Sequence, residues 1–342
     1  MHDGDILIIK GSDVSAVLSG QEQELLGVVR SAYVAHALGE SSLPHSTFLT
    51  FPEGPQNRII ALPAYLGEGF DVAGVKWISS FPGNLNLGFD RASAVLILNS
   101  AETGRPQAII ESSIISAKRT AVSAALAAQA LLNGKGAERV GLIGGGVINF
   151  EIVRFLQAAC SDCKSFVLFD LDEKRGRHFK EQCLLTFEHI EVDLARDVQT
   201  VLGAGPLISI ATTASKPHLF DLSECAPGTT ILHISLRDLS PEVIFSSDNV
   251  VDDVNHVCRA QTSVHLAEQL TGNRDFIRCT LADVLMGTAP EKADEQSVTV
   301  FSPFGLGILD IAVGKLVCDL GVGQNRGMIV ESFLPTAWSG QI

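Results

Sequence analysis

From Arg139 onward the chain alternates short apolar runs with helical segments, and that rhythm constrains the fold more than any other feature. RVGLIGGG is followed by NFEIVRFLQAAC and SFVLFD by DEKRGRHFKEQC; the series goes on through IEVD, PLISIATT, TTILHISL and NVVDDV. Continuous apolar β-formers need cover on both faces, which helices between parallel strands provide. A Rossmann-like domain is therefore expected over 131–311. The segments around it read differently. Residues 21–39 place Leu25, Leu26, Val28, Val29, Ala32, Tyr33 and Ala37 near one stripe at helical spacing. RIIALPAYL, VAGVKWISSF and ASAVLILNS, separated by Gly, Pro and Asn, read as antiparallel strands. An Ala-rich helix then starts near Ser116 and stops at Asn133 and Gly134. After about residue 290 the alternation fades into a strand, a Gly-rich bend and an apolar helix expected to return to the N-terminal part. The class is α/β, with a Rossmann-like domain inserted in a discontinuous α+β domain made of 1–130 and 312–342.

The 342 residues carry 25 Lys and Arg against 39 Asp and Glu, a net charge of −14 that repels phosphate backbones and anionic lipid heads. Nucleic-acid and membrane-surface roles are disfavoured. The N-terminus is acidic and its apolar run is short, so no secretory signal is read there, and Ala121 to Leu132 is too short to span a bilayer. Seven scattered cysteines fit reduced thiols in a cytoplasmic compartment. Cys160 and Cys163 have C-x-x-C spacing without a second Cys or His pair, so they read as core packing, and no metal site is expected.

The sharpest motif is VGLIGGGVIN, an apolar strand meeting a glycine turn that opens a helix. Gly144 permits the tight turn, Gly146 lets the backbone approach a pyrophosphate, and the helix N-terminus faces that charge. Gly145, Val147 and Ile148 complete the loop, and Asn149 stands where a third glycine is usual. Asp170, which closes the next strand, is 24 residues beyond Gly146, suits a ribose hydroxyl and favours NAD. Lys174 and Arg175 keep NADP open, because basic side chains there accept a 2′-phosphate. Thr212, Thr213 and Ala214 follow an apolar strand, where small residues admit a dinucleotide. Ser302 and Gly305 allow close backbone approach in the same way.

Other candidates are charged residues in apolar company. Lys76 reads either as a snorkelling surface lysine or as an ammonium facing a substrate carboxylate. Arg119, at the start of an apolar helix, reads as a carboxylate or phosphate holder or as a helix-end surface residue. Arg58, Arg91 and Glu111 are weaker candidates of the same kind. Asp238, in HISLRDLSP, follows an apolar strand and reads as a general base, a holder of a substrate ammonium, or a turn former.

Taken in order, KWIS, RASAVLILNSAETGRPQAIIESSIISAKRTAVSAALAA, LIGGGVINFE, VLFD, HISLRD, NVVDD and SPFGLGILD resemble the ornithine cyclodeaminase/μ-crystallin family over nearly the whole chain. RIIALPAYL and the stretch from Arg91 to Ala125 resemble most its branch that makes 2,3-diaminopropionate for siderophores. The resemblance implies a two-domain subunit, a homodimer formed through the discontinuous substrate-binding domain, and a nicotinamide dinucleotide. For the branch it implies NAD-dependent oxidation of N-(1-amino-1-carboxy-2-ethyl)-glutamate to an imine, hydrolysed to 2,3-diaminopropionate and 2-oxoglutarate. By position, Lys76 and Arg119 match the family's active-site basic residues, Asp238 falls near its catalytic acid, and Gly144, Gly146 and Asp170 match its dinucleotide positions. Thr120 joins the cofactor candidates. Two departures stand out: LPHSTFLTFPEG offers only His45 where cyclodeaminases show an arginine, and Ser235 to Asp238 replaces a Gly-Gly-Asp turn. Arg237, added there, suits a substrate with several carboxylates. Ornithine cyclisation, a different amino-acid dehydrogenase, ketimine reduction and a catalytically silent dinucleotide-binding protein remain the alternatives.

Overall fold

The computed structural model describes residues 4–54 and 56–335. In chain order the elements are β1 (Ile6–Ile9), α1 (Gly11–Val17), α2 (Glu22–Ala37), β2 (Ser41–Ser42), β3 (Thr47–Thr50), β4 (Arg58–Leu66), β5 (Val72–Ser80), β6 (Ala94–Ser100), β7 (Pro106–Glu111) and α3 (Ser113–Leu131). Next come β8 (Arg139–Ile143), α4 (Val147–Ala159), β9 (Ser165–Phe169), α5 (Glu173–Thr186), β10 (Glu191–Leu194), α6 (Val198–Leu202), β11 (Leu207–Ile210) and β12 (Thr230–His233). Then follow α7 (Pro241–Phe245), β13 (Asp248–Val251), α8 (Val254–Val257), α9 (Ser263–Thr271), β14 (Ile277–Thr280), α10 (Leu281–Met286), β15 (Thr299–Ser302), α11 (Gly307–Gly323) and β16 (Met328–Val330).

The chain divides into two compact units, 1–119 with 306–342 and 120–305. The divisions fall at 119/120 and 305/306 where the sequence suggested 130/131 and 311/312. The first falls inside α3, because that single continuous helix carries the chain from one unit into the other.

The first unit is built on a mixed sheet in the order β16-β1-β7-β6-β5-β4-β2, with β3 also paired to β4. β4 and β5 pair antiparallel along their whole length, Arg58 opposite Ser80 and Leu62 opposite Lys76. Side chains alternate between faces along a strand, so Val72, Lys76 and Ser80 are buried on one face of β5 while Trp77 stands exposed on the other. As expected, the last helix, α11, returns to this unit and packs on α2, β4 and β5. Its close approach needs Gly314, where a Cβ would lie 2.2 Å from Leu96 Cδ2. That proximity brings the first turn of α11 onto the sheet.

The second unit is an all-parallel eight-stranded sheet in the order β10-β9-β8-β11-β12-β15-β13-β14. Its core is aliphatic, with Ile143, Val167, Ile208, Ile210, Ile231, Val251 and Val300 all buried. The chain order reverses between β8 and β11, which places the crevice outside the carboxyl ends of those strands. All seven cysteines are free thiols and Cys163 is buried. Among the described residues no helix is long and apolar enough to cross a membrane.

Candidate functional site

The sequence-derived candidates gather in two places, one in each unit. In the first unit, Lys76 is no snorkelling lysine: it is 1% exposed. Its ammonium donates to Asp310 Oδ2 at 2.6 Å and to Ser116 Oγ at 3.2 Å. Asp310 Oδ1 accepts from Arg119 Nε at 3.0 Å, and its carboxylate is fully buried. Burial and the Arg119 charge push Lys76 down to about 8, against the opposing pull of Asp310. An ammonium with that property is held charged by one carboxylate and has little reserve.

Arg119 does not stand at a helix start. It lies in the second turn of α3, because Glu111 caps the helix one turn earlier: its Oε1 accepts from Ser113 N at 2.7 Å and Oε2 from Ile114 N at 3.4 Å. Glu111 thereby caps α3. Arg58 and Arg91 sit at the other end of the same sheet face, where Arg91 Nη1 donates to Ser80 Oγ at 2.6 Å. Thr120 is half-buried on α3, in its second turn.

In the second unit the candidates line the carboxyl ends of the parallel strands. Gly144 has φ +100°, and a Cβ there would lie 2.5 Å from Ala211 O, so only glycine fits the turn after β8. Gly146 caps α4 with no side chain to satisfy the first amides, and a Cβ on it would meet nothing within 4 Å. Val147 is exposed and Ile148 half-buried at the same helix start. An open space before unsatisfied N–H groups is what a pyrophosphate needs, so these residues fit a dinucleotide. Asn149, the departure from the glycine pattern, is buried and useful: Nδ2 donates to Ile143 O at 3.0 Å and Gly144 O at 2.7 Å, while Oδ1 accepts from Ser209 Oγ at 2.7 Å. It fastens the loop to β11.

Asp170 is already engaged. Oδ2 accepts from Gly145 N at 2.7 Å and Arg175 Nε at 2.9 Å; Oδ1 accepts from Asp172 N and from Arg175 Nη2 at 2.7 Å. Burial raises its pKa, but Arg175 and the two amides outweigh that and hold it below the usual carboxylate range. A ribose hydroxyl therefore competes with Arg175, whose side chain is 44% exposed. Replacing Arg175 by Ala frees the carboxylate, so the ratio of NAD to NADP affinity is expected to rise about 10-fold, as read by calorimetric titration of each dinucleotide. An unchanged ratio would show that Arg175 does not face the ribose.

Asp238 lies in the loop that follows β12. It is fully buried. Its carboxylate accepts from Thr212 Oγ1, from Ser235 Oγ at 2.5 Å and from the imidazole of His218 at 3.1 Å, with His233 Nε2 3.3 Å away. Burial opposes its ionisation, but the hydrogen bonds from His218, His233 and Ser235 prevail and hold the carboxyl far below the usual range. These contacts hold it in its ionised form. Its evident work is to hold His218, 41% exposed at the side chain, which the sequence reading missed. Among the described residues no group of three or more His, Cys, Asp or Glu is arranged to hold a metal ion.

Thr212 Oγ1 also accepts from Ala214 N at 3.0 Å, which folds the end of β11 into a small turn, with Thr213 exposed. Ser302 is buried with its hydroxyl 3.1 Å from His233 Nδ1. Gly305 N donates to Asp252 Oδ2 at 2.7 Å, and Phe304 N to Oδ1 at 2.9 Å. Asp252, pushed up to about 6 by burial, thus anchors the bend after β15. Arg237 Nη2 donates to Ala260 O at 2.7 Å, a backbone tie in the second unit.

Asp310 was not singled out from the sequence. A lone acid in the first turn of a helix is an ordinary partner of the helix dipole, so SPFGLGILD gave no reason to bring it to Lys76, 234 residues away.

The ornithine cyclodeaminase/mu-crystallin family model matches residues 8–325. An alanine dehydrogenase of Archaeoglobus fulgidus is 26% identical, with 96% of this chain and 99% of that one covered. An N-((2S)-2-amino-2-carboxyethyl)-L-glutamate dehydrogenase of Staphylococcus aureus is 25% identical over the same shares, 96% and 99%. Among solved structures, an archaeal alanine dehydrogenase dimer with bound NAD superposes with a TM-score of 0.85 at 25% identity, covering 96% of this chain and 99% of the other.

Proposed function

Because this chain belongs to the ornithine cyclodeaminase/mu-crystallin family, we propose that it is an NAD-dependent oxidoreductase acting on the CH–NH of an amino-acid adduct. The substrate is N-(2-amino-2-carboxyethyl)-glutamate, as named for the Staphylococcus aureus relative, and the products are 2,3-diaminopropionate and 2-oxoglutarate. The observation that carries the reading is the buried Lys76–Asp310–Arg119 arrangement, in which one carboxylate fixes two cations. Immobilised donors lose little entropy when they take a carboxylate, and a fixed carboxylate fixes the reacting carbon beside it.

NAD, when bound, supplies the acceptor for the hydride that leaves the glutamate Cα. Gly144, Gly145, Gly146, Val147 and Ile148 would hold its pyrophosphate, Asp170 its ribose, and Thr120, Thr212, Thr213, Ala214, Ser302 and Gly305 the remainder. Loss of hydride turns the C–N bond into an imine; water then adds to that carbon and the C–N bond breaks, releasing the amine of 2,3-diaminopropionate. His218, oriented by the ionised Asp238, handles the proton of the water, the usual division of labour between an imidazole and a buried carboxylate. His218→Ala is expected to lower kcat about 10²-fold; an unaffected kcat would assign the proton elsewhere.

A second reading, oxidation of a simple amino acid, rests on the Archaeoglobus fulgidus relative. The test is a substrate panel with NAD, following absorbance of the reduced nicotinamide and the mass of the products. NADH with 2-oxoglutarate and 2,3-diaminopropionate supports the proposal; NADH from alanine supports the second reading. Proline and ammonia from ornithine without net NADH would mean cyclodeamination, and no turnover would leave a dinucleotide-binding protein. Tyr65, Trp77 and Val95, exposed on one sheet face, suit the interface of a homodimer, which light scattering at twice 36.4 kDa tests.

A further inference from the structure

Two arginines at one end of the first unit's sheet have no acidic partner among the described residues. Arg58 opens β4 directly opposite Ser80 on β5. Arg91 returns beside the same residue: its carbonyl accepts from Phe81 N at 2.8 Å and its guanidinium donates to Ser80 Oγ at 2.6 Å. Both side chains are half-buried, and Arg58 Nε is buried with no hydrogen-bond partner. Among the described residues no carboxylate forms an ion pair with either one. Burial and, for Arg91, the charge of Arg58 push the guanidinium pKa values down. Two neighbouring cations without a counter-charge cost the fold free energy, and an anion supplied from outside removes that cost.

Their place on the sheet says which anion. Arg58, Ser80, Leu62 and Lys76 share one face by the register of β4 and β5. Lys76 and Ser80 are four residues apart on one strand, about 13 Å between Cα atoms. A substrate lying along this face, extended and with a carboxylate at each end, spans a distance of the same order. Between them Ile60 and Ile78 are only partly buried, so this stretch of the face is open.

We propose that Arg58, Arg91 and Ser80 form a second carboxylate subsite, which takes the carboxylate distal to the one held at Lys76 and Arg119 and selects dicarboxylic over monocarboxylic substrates. This rests on the reading of Lys76 and Arg119 given above and deepens it. The two guanidinium groups each present paired N–H donors to the carboxylate oxygens. Ser80 accepts from Arg91, so its own hydrogen is left to donate.

The test is calorimetric titration of the full chain in the presence of NADH with 2-oxoglutarate and, separately, pyruvate. The wild type is expected to bind 2-oxoglutarate about 10²-fold more tightly. Arg91→Met and Arg58→Met should each lose most of that preference and leave pyruvate binding unchanged, while Arg91→Lys restores part of it. Removing one of two unpaired cations relieves repulsion, so these variants keep or raise Tm; Ser80→Ala, which alters no charge, repeats the test should either arginine variant misfold. Equal affinities in the wild type, no measurable 2-oxoglutarate binding, or equal losses for both ligands would overturn the subsite. Selectivity that is present and lost on mutation, in a protein inert toward the glutamate adduct, upholds the subsite and rejects the activity. Turnover of the adduct with kcat/KM unchanged in Arg91→Met does the reverse.

Discussion

Asp310→Asn is expected to lower the unfolding free energy by about 3–5 kcal/mol, because it leaves Lys76 and Arg119 buried without the carboxylate that holds both. Lys76→Met should cost less, since the Arg119–Asp310 pair survives it. Denaturant unfolding of the two variants checks the order, and equal losses would show that Asp310 is no hub. The same cluster gives a pH signature. Lys76 has a pKa of about 8 in the fold against 10.5 for an ordinary lysine. An ammonium depressed in this way binds its proton more readily in the unfolded chain. Unfolding then takes up a proton, and the contribution of Lys76 to stability rises as pH goes from 8 to 10.5. Asp310→Asn removes a group that raises the Lys76 pKa, so the window of rising stability should open at lower pH. Lys76→Met should abolish it.

Arg119→Ala is expected to cut kcat/KM for the glutamate adduct about 10³-fold, with a raised KM, while dinucleotide affinity stays as it was. The split matters. Arg119 belongs to the first unit and the glycine loop to the second, so a loss confined to substrate kinetics identifies it as a substrate holder. An equal loss of NAD affinity, or an unchanged kcat/KM, would refute that role.

Local pattern carried much of this structure. Alternation of apolar strands and helices, and the glycine run at 144–146, are signals within a few residues of each other. They placed β8, α4 and β9 where they lie. RIIALPAYL matches β4 residue for residue, because Ile59, Ile60, Leu62, Tyr65 and Leu66 bounded by turns leave little choice. What remained hidden depends on contacts across the fold. Asp310 reaches Arg119 over 191 residues. Asp238 meets His218 over 20 residues, from the far side of β12. Asn149 looked like a weakened motif, although its amide fastens the very turn that the absent glycine usually serves. Glu111 and Arg237 carry structural contacts that the sequence does not show. A charged side chain in apolar company reads as a site, yet one caps α3 and the other ties a loop.

The most direct measurement is the fate of the hydrogen on the glutamate Cα. The adduct is prepared with deuterium at that carbon and turned over with NAD, and the reduced nicotinamide is weighed by mass spectrometry. The expected result is reduced nicotinamide heavier by one mass unit, in step with 2-oxoglutarate and 2,3-diaminopropionate. Deuterium retained in the carbon product, or lost to water with no labelled nicotinamide, would contradict it.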